Sequence, residues 1–120
     1  MASTVLFVCE HGALRSRIAA AFFNAAAPKG WRAASAGRAP QSDLSRELVP
    51  LLAGTAAAAH LEADPPRPLA AFIAPDRVIA IDCAVAGAER WDLEARSGSE
   101  IRDEIRARVE NLVRHIEVAG

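Results

Sequence analysis

The 120-residue sequence has no tyrosine, two cysteines, three histidines and a single lysine, and each shortage closes a class of function. Two thiols, Cys9 and Cys83, are too few for the disulfide framework of a small secreted domain, so both are expected to be free in a reducing compartment. The imidazoles of His11, His60 and His115 share no paired ligand spacing, so no metal site and no cofactor is expected. Fifteen acidic residues against 14 basic ones give a formal charge of −1, which offers nothing to nucleic acid or an anionic membrane as partner. Thirteen of the 14 basic residues are arginine, so any anion site must be local. Met1 to Val8 lacks a basic n-region and its apolar run breaks by Glu10, which supports neither a signal peptide nor a membrane span. A cytoplasmic protein is expected.

What is present is a 52% apolar chain, enough to fill the core of one domain spanning residues 1–120. Thr4 to Val8 is a continuous β-branched run, as in a central strand covered on both faces. Ser16 to Ala27 carries Ile18, Phe22 and alanines at helical spacing until Pro28 and Gly30 stop it. Trp31 to Ala36 reads as a second strand closed by Gly37, and Leu44 to Leu52 as a helix capped by Ser42, Asp43 or Ser45. "ADPPRP", Ala63 to Pro68, must be loop, because each proline removes a backbone donor and restricts its predecessor. Arg77 to Ile81 reads as a third strand and Trp91 with Leu93 as a short fourth. Ser97 and Glu100 resemble a capping box ahead of a last helix with the stripe Ile101, Ile105, Val109, Leu112 and Ile116. Alternating strands and helices imply an α/β fold on a parallel sheet.

In such a sheet ligands sit beyond the carboxyl ends of the strands, which is where Cys9 falls. If the chain turns from strand to helix across Glu10, His11, Gly12, Ala13 and Leu14, the loop amides converge into a nest for a dianion, with the helix dipole behind them. The same nest favours a thiolate at Cys9, which can then attack what the loop holds. Arg15 supplies a planar fork for two oxygens of an oxyanion, and the Ser16 hydroxyl can donate to the sulfur as it leaves. With 13 arginines in 120 residues, about one position in nine is arginine by chance, so the spacing from Cys9 to Arg15 counts only in this context of strand, glycine, serine and helix.

"VLFVCEHGALRS" resembles the phosphate-binding loop of the low-molecular-weight protein tyrosine phosphatase and arsenate reductase superfamily: Cys, five residues, Arg, then Ser or Thr. "SAG" at Ser35 to Gly37 matches the end of the second strand in both branches, and "VIAIDC", "WDL" and "IRDEIRARVENLV" look like the arsenate-reductase branch. Most of the chain is covered, with 54–75 matched poorly. The resemblance implies a flavodoxin-like three-layer sandwich with a four-stranded parallel sheet, Cys9 as nucleophile, Arg15 as oxyanion clamp and Ser16 as partner of the thiolate. It also places Cys83 where the reductase branch carries a redox cysteine.

The departures are specific. The family's loop asparagine is replaced by Gly12 and Ala13, the cysteine downstream of Cys83 is missing, and there is no tyrosine pair. The general-acid Asp-Pro of the late loop is also gone, since an ungapped match puts Ala95 there; Glu94 is the nearest substitute and Asp92 the next. Three activities follow. The first is a phosphomonoesterase working through phosphocysteine. The second is an arsenate reductase that needs Cys83, a small thiol or a thioredoxin-like reductant. The third is an oxyanion-binding module without efficient catalysis.

Overall fold

Four short runs become the strands of one parallel sheet. In the computed structural model, which describes residues 2–119, β1 (Ser3–Cys9), β2 (Trp31–Gly37), β3 (Arg77–Ile81) and β4 (Glu89–Trp91) lie in the order β2-β1-β3-β4. All three pairings are parallel. Met1 and Gly120, the ends of the expected domain, lie outside the described residues. Val5 to Val8 of β1 are wholly buried, as a central strand covered on both faces requires. Cys9 sits opposite Gly37 and Val8 opposite Ala80, so the carboxyl ends of β1, β2 and β3 meet along one edge.

The two faces of the sheet are covered differently. Val5, Phe7, Ile79 and Ile81 pack against α1 (Arg15–Ala26) and α3 (Gly98–Ala119). The expected stripe of α3 is buried along its whole length, Val113, which the stripe did not contain, is buried beside it, and each such aliphatic contributes about 1.5–3 kcal/mol relative to exposure. Small Ala19, Ala20 and Ala21 let α1 lie close, while Phe23 meets Phe7 edge-on at 6.2 Å. On the other face Leu6, Val8, Ala36, Ala80 and Cys83 are covered by Leu69, Phe72, Val85 and Ala88. That third layer is a 3-10 turn, Leu69–Ala71, and loop, because Pro65, Pro66, Pro68 and Pro75 deny it the donors of a helix.

Two further elements differ from expectation. The second helix, α2, spans only Leu48–Leu52 instead of Leu44–Leu52. Pro50 has no N–H to give to Arg46, and Ser45 N–H is drawn to Ala13 O at 3.1 Å, so the first turns cannot close; Ser45 Oγ instead accepts from Glu47 N–H at 3.2 Å. The fourth strand ends at Trp91, not Leu93, because Leu93 N–H leaves the ladder for the Asp82 carboxylate at 2.8 Å. Ala56–His60 resolves as a 3-10 turn. Among the described residues no helix is long and apolar enough to cross a membrane.

Candidate active site

The turn from β1 to α1 is built by pairing its carbonyls outward. Arg38 N–H donates to Cys9 O at 3.0 Å, Ala39 to Glu10 O at 2.8 Å, Gln41 to His11 O at 3.2 Å and Ser45 to Ala13 O at 3.1 Å. Among the described residues, no backbone N–H from Glu10 to Arg15 finds a protein acceptor, so the donors are left for the concave side. Unpaired loop amides of this kind are the donors that an oxyanion-binding nest needs. Glycine is required twice. Gly12 has φ +64°, and a Cβ there would lie 2.7 Å from Gly37 N; a Cβ on Gly37 would lie 2.7 Å from both Gly12 N and His11 C. Loop and strand end therefore touch backbone to backbone, which explains the glycine that closes "SAG" at the end of β2.

Cys9, 5% exposed, lies at the base of the nest. Its S–H donates to Ser16 Oγ at 3.1 Å and its Sγ accepts the Ser16 N–H at 3.4 Å, so Ser16 holds the sulfur through both hydroxyl and amide. A cleft of about 250 Å³ opens above it, lined by Cys9, Arg15, Gln41, Ser45, Ile81 and Asp82 together with the loop. Arg15 Nε stands 3.1 Å from Asp82 Oδ2, with the N–H not aligned on the oxygen, so the contact is an ion pair without a hydrogen bond. Among the described residues the terminal guanidinium nitrogens of Arg15 bond no protein group, leaving the fork for a ligand. Glu10 turns outward to Arg38 at 3.0 Å, and the His11 side chain is exposed, so neither side chain blocks the nest.

Three sequence candidates, Glu94, Asp92 and Cys83, do not line the cleft. Glu94 is exposed, and its N–H and that of Ala95 bind the Glu104 carboxylate at 2.9 and 2.8 Å. Desolvation alone would raise the Glu104 pKa; the Ala95 N–H, the Arg108 guanidinium and the Glu94 N–H outweigh it and hold it low. The loop is thus fastened to α3, with the Glu94 side chain outside the cleft. Asp92 faces Arg90 at 2.7 Å. Cys83 shares the Leu6 and Val8 face, opposite that of Phe7 and Cys9, with its Sγ 3.6 Å from Val8 O. Burial, and then the charge of Cys9, pushes the Cys83 thiol up. Among the described residues no cluster of His, Cys, Asp and Glu could hold a metal.

Two residues escaped the sequence reading. Asp82 holds an unusual φ of +53° where β3 ends, with one carboxylate oxygen on Leu93 N–H and the other facing Arg15. A polar residue closing a buried strand at the ligand-binding edge was the available signal. Arg17, 2% exposed, passes beneath the loop. Nothing in its spacing distinguishes it from a surface arginine.

The chain is similar to an arsenate reductase from Archaeoglobus fulgidus, with 31% identity and a TM-score of 0.75 over 91% of this chain and 98% of that one. The chain belongs to the low-molecular-weight protein tyrosine phosphatase and arsenate reductase superfamily. Within this superfamily it is also similar to a thioredoxin-dependent arsenate reductase from Corynebacterium glutamicum. That match has 27% identity and a TM-score of 0.77, over 99% of this chain and 64% of that one. A low-molecular-weight protein tyrosine phosphatase from T. tengcongensis, 21% identical, shares the fold at a TM-score of 0.73 over 95% of this chain and 99% of that one. No family model and no curated protein sequence matches the chain.

The two thiols should separate chemically. Iodoacetamide near pH 6.5 is expected to alkylate Cys9 faster than Cys83, with phosphate, arsenate or vanadate slowing only the Cys9 reaction. Peptide mapping by mass spectrometry reads both rates. Equal labelling, indifferent to anions, would remove the thiolate loop from consideration.

Proposed function

We propose that the protein is a cysteine-dependent phosphomonoesterase. The observation that carries this reading is a single thiol, Cys9, set between the Ser16 hydroxyl and an unpaired amide nest facing the Arg15 fork. Cys9 Sγ attacks phosphorus as the ester P–O bond breaks, and the leaving oxygen departs as the anion and takes its proton from water. The amides and Arg15 stabilise the equatorial oxygens. Water then attacks the phosphocysteine, phosphate departs and Ser16 receives the thiolate. No metal or second thiol takes part. With the Glu94 and Asp92 side chains outside the cleft, leaving groups that need no proton are favoured.

A second reading, arsenate reduction, is favoured by the 31% identical arsenate reductase. Here Cys9 displaces water from arsenate. A thiol from outside, either a small thiol or a thioredoxin-like reductant, attacks the Cys9 sulfur, arsenic takes two electrons and leaves as arsenite, and a second thiol reduces the mixed disulfide. In this reading Cys83, whose Sγ lies 3.6 Å from Val8 O and packs with Leu6, Val8, Ala36 and Ala80, stands outside the cycle. Both cycles need reduced thiols and so fit a cytoplasmic setting.

A paired assay separates the readings. Nitrophenyl phosphate should be hydrolysed without reductant, at least about 10² faster than phenyl phosphate, and Cys83→Ser should leave that rate unchanged. Arsenate-dependent consumption of a small thiol exceeding ester turnover would move the assignment to the reductase. Turnover of neither substrate, with phosphate still bound, would leave an oxyanion-binding module.

A further inference from the structure

The outward pairing of the loop has one gap. Backbone N–H groups of 38–45 satisfy the carbonyls of Cys9, Glu10, His11 and Ala13, but none reaches Gly12 O. Gly12 is also the residue with positive φ and the one pressed against Gly37. Its carbonyl accepts instead from Arg17 Nε at 3.4 Å. The other two arms of that guanidinium donate to Glu62 O at 3.0 Å and Pro65 O at 2.9 Å.

Such a residue is unusual for its cost. A guanidinium almost wholly out of water is normally paired with a carboxylate. Among the described residues Arg17 makes no ion pair within 4.0 Å, and its charge rests on three carbonyl dipoles. Burial lowers its pKa, opposed first by the more distant charge of Glu62, and the group stays protonated. Its position one turn into α1 puts the planar fork where it spans the gap between the loop and 62–65.

We propose that Arg17 is the positioning residue of the oxyanion loop, its buried fork tying Gly12 O to the carbonyls of Glu62 and Pro65 so that the loop amides stay converged on the anion. The proposal rests on the oxyanion reading of the Cys9 loop, and it assigns the proline-rich 62–68 segment a function: it is the far anchor of the loop. Proline suits that task, because Pro65 and Pro66 stiffen the carbonyl ledge that the guanidinium grips.

The test is the inhibition constant of inorganic phosphate against nitrophenyl phosphate turnover, with phosphate protection of Cys9 from iodoacetamide as a readout independent of turnover. Arg17→Lys keeps the charge and loses the fork; Arg17→Met loses both. Each is expected to weaken phosphate by about tenfold or more. The double substitution Pro65→Gly and Pro66→Gly leaves the guanidinium in place, lies on an exposed segment and loosens only the ledge. It should weaken phosphate in the same direction, by about threefold or more, and it keeps the test decisive if the Arg17 variants fail to fold. A retained phosphate affinity in the folded Arg17 variants, with only the melting temperature lowered, overturns the proposal, as does an unchanged affinity in the Pro65 and Pro66 variant. Arg17→Lys matching the wild type while Arg17→Met fails would show that charge, not bracing, is what matters, and overturns it too. If the wild type itself shows no phosphate protection, the oxyanion reading fails rather than the brace.

Discussion

Replacing Cys9 with serine should lower turnover by on the order of 10⁴ or more while the folded protein still binds phosphate. The reason is local. A serine hydroxyl is nearly isosteric with the thiol and can keep the contact to Ser16 Oγ, so the nest, Arg15 and the buried end of β1 have no cause to move. What is lost is the nucleophile, because an alcohol at neutral pH gives up its proton far less readily than a thiol, and among the described residues no side-chain base hydrogen-bonds the Cys9 sulfur. Steady-state rates with nitrophenyl phosphate and with arsenate plus a small thiol give the first number, and a phosphate titration followed by ³¹P NMR gives the second. Activity above about one hundredth of wild type would place the nucleophile elsewhere. Loss of phosphate binding together with turnover would mean that the variant had disturbed the cradle itself.

The parts of this molecule that could be read from the sequence are those set by short-range chemistry. Thr4 to Val8 announces a central strand because it is apolar on both faces, and the α3 stripe announces its buried side by its period. Cys9, Gly12, Arg15 and Ser16 could be placed because they fall within one turn of chain, so spacing stands in for geometry. The placements that the sequence could not supply are long-range. Glu94 is near the family's acid in sequence, yet its backbone is fixed by Glu104, ten residues on, and no local pattern encodes that. Cys83 sits at the correct sheet edge, but the left-handed turn at Asp82 shifts the alternation and leaves the thiol on the far face. Arg17 is the sharpest case. Along α1 it is one more arginine, and only the approach of 62–65 turns it into a buried brace.

Gly37→Ala should cut catalytic efficiency by about 10² without replacing any group that meets the substrate. A methyl at this position would stand 2.7 Å from Gly12 N and His11 C and 3.0 Å from His11 O, all backbone atoms, so no side chain can swing away to make room. Relief has to come from moving the loop. Its carbonyls are held by Arg38, Ala39, Gln41 and Ser45, and Gly12 already occupies a conformation that favours glycine, so displacement breaks several bonds together. The amides then no longer converge on one point, and an oxyanion bound between them and Arg15 loses alignment with the Cys9 sulfur. Overpacking of this kind costs about 1–3 kcal/mol, which thermal unfolding will detect. Gly54→Ala separates instability from misalignment. Gly54 has φ +79°, open space within 4 Å of where a methyl would stand, and a position remote from the cleft, so alanine there should destabilise through backbone strain alone and leave the kinetics of the folded protein unchanged. Parallel losses of activity in the two variants would reduce the Gly37 effect to general instability. A Gly37→Ala enzyme with normal kinetics would show that the loop is pliable, and the close contact between strand end and loop would then have no part in holding the amides on the anion.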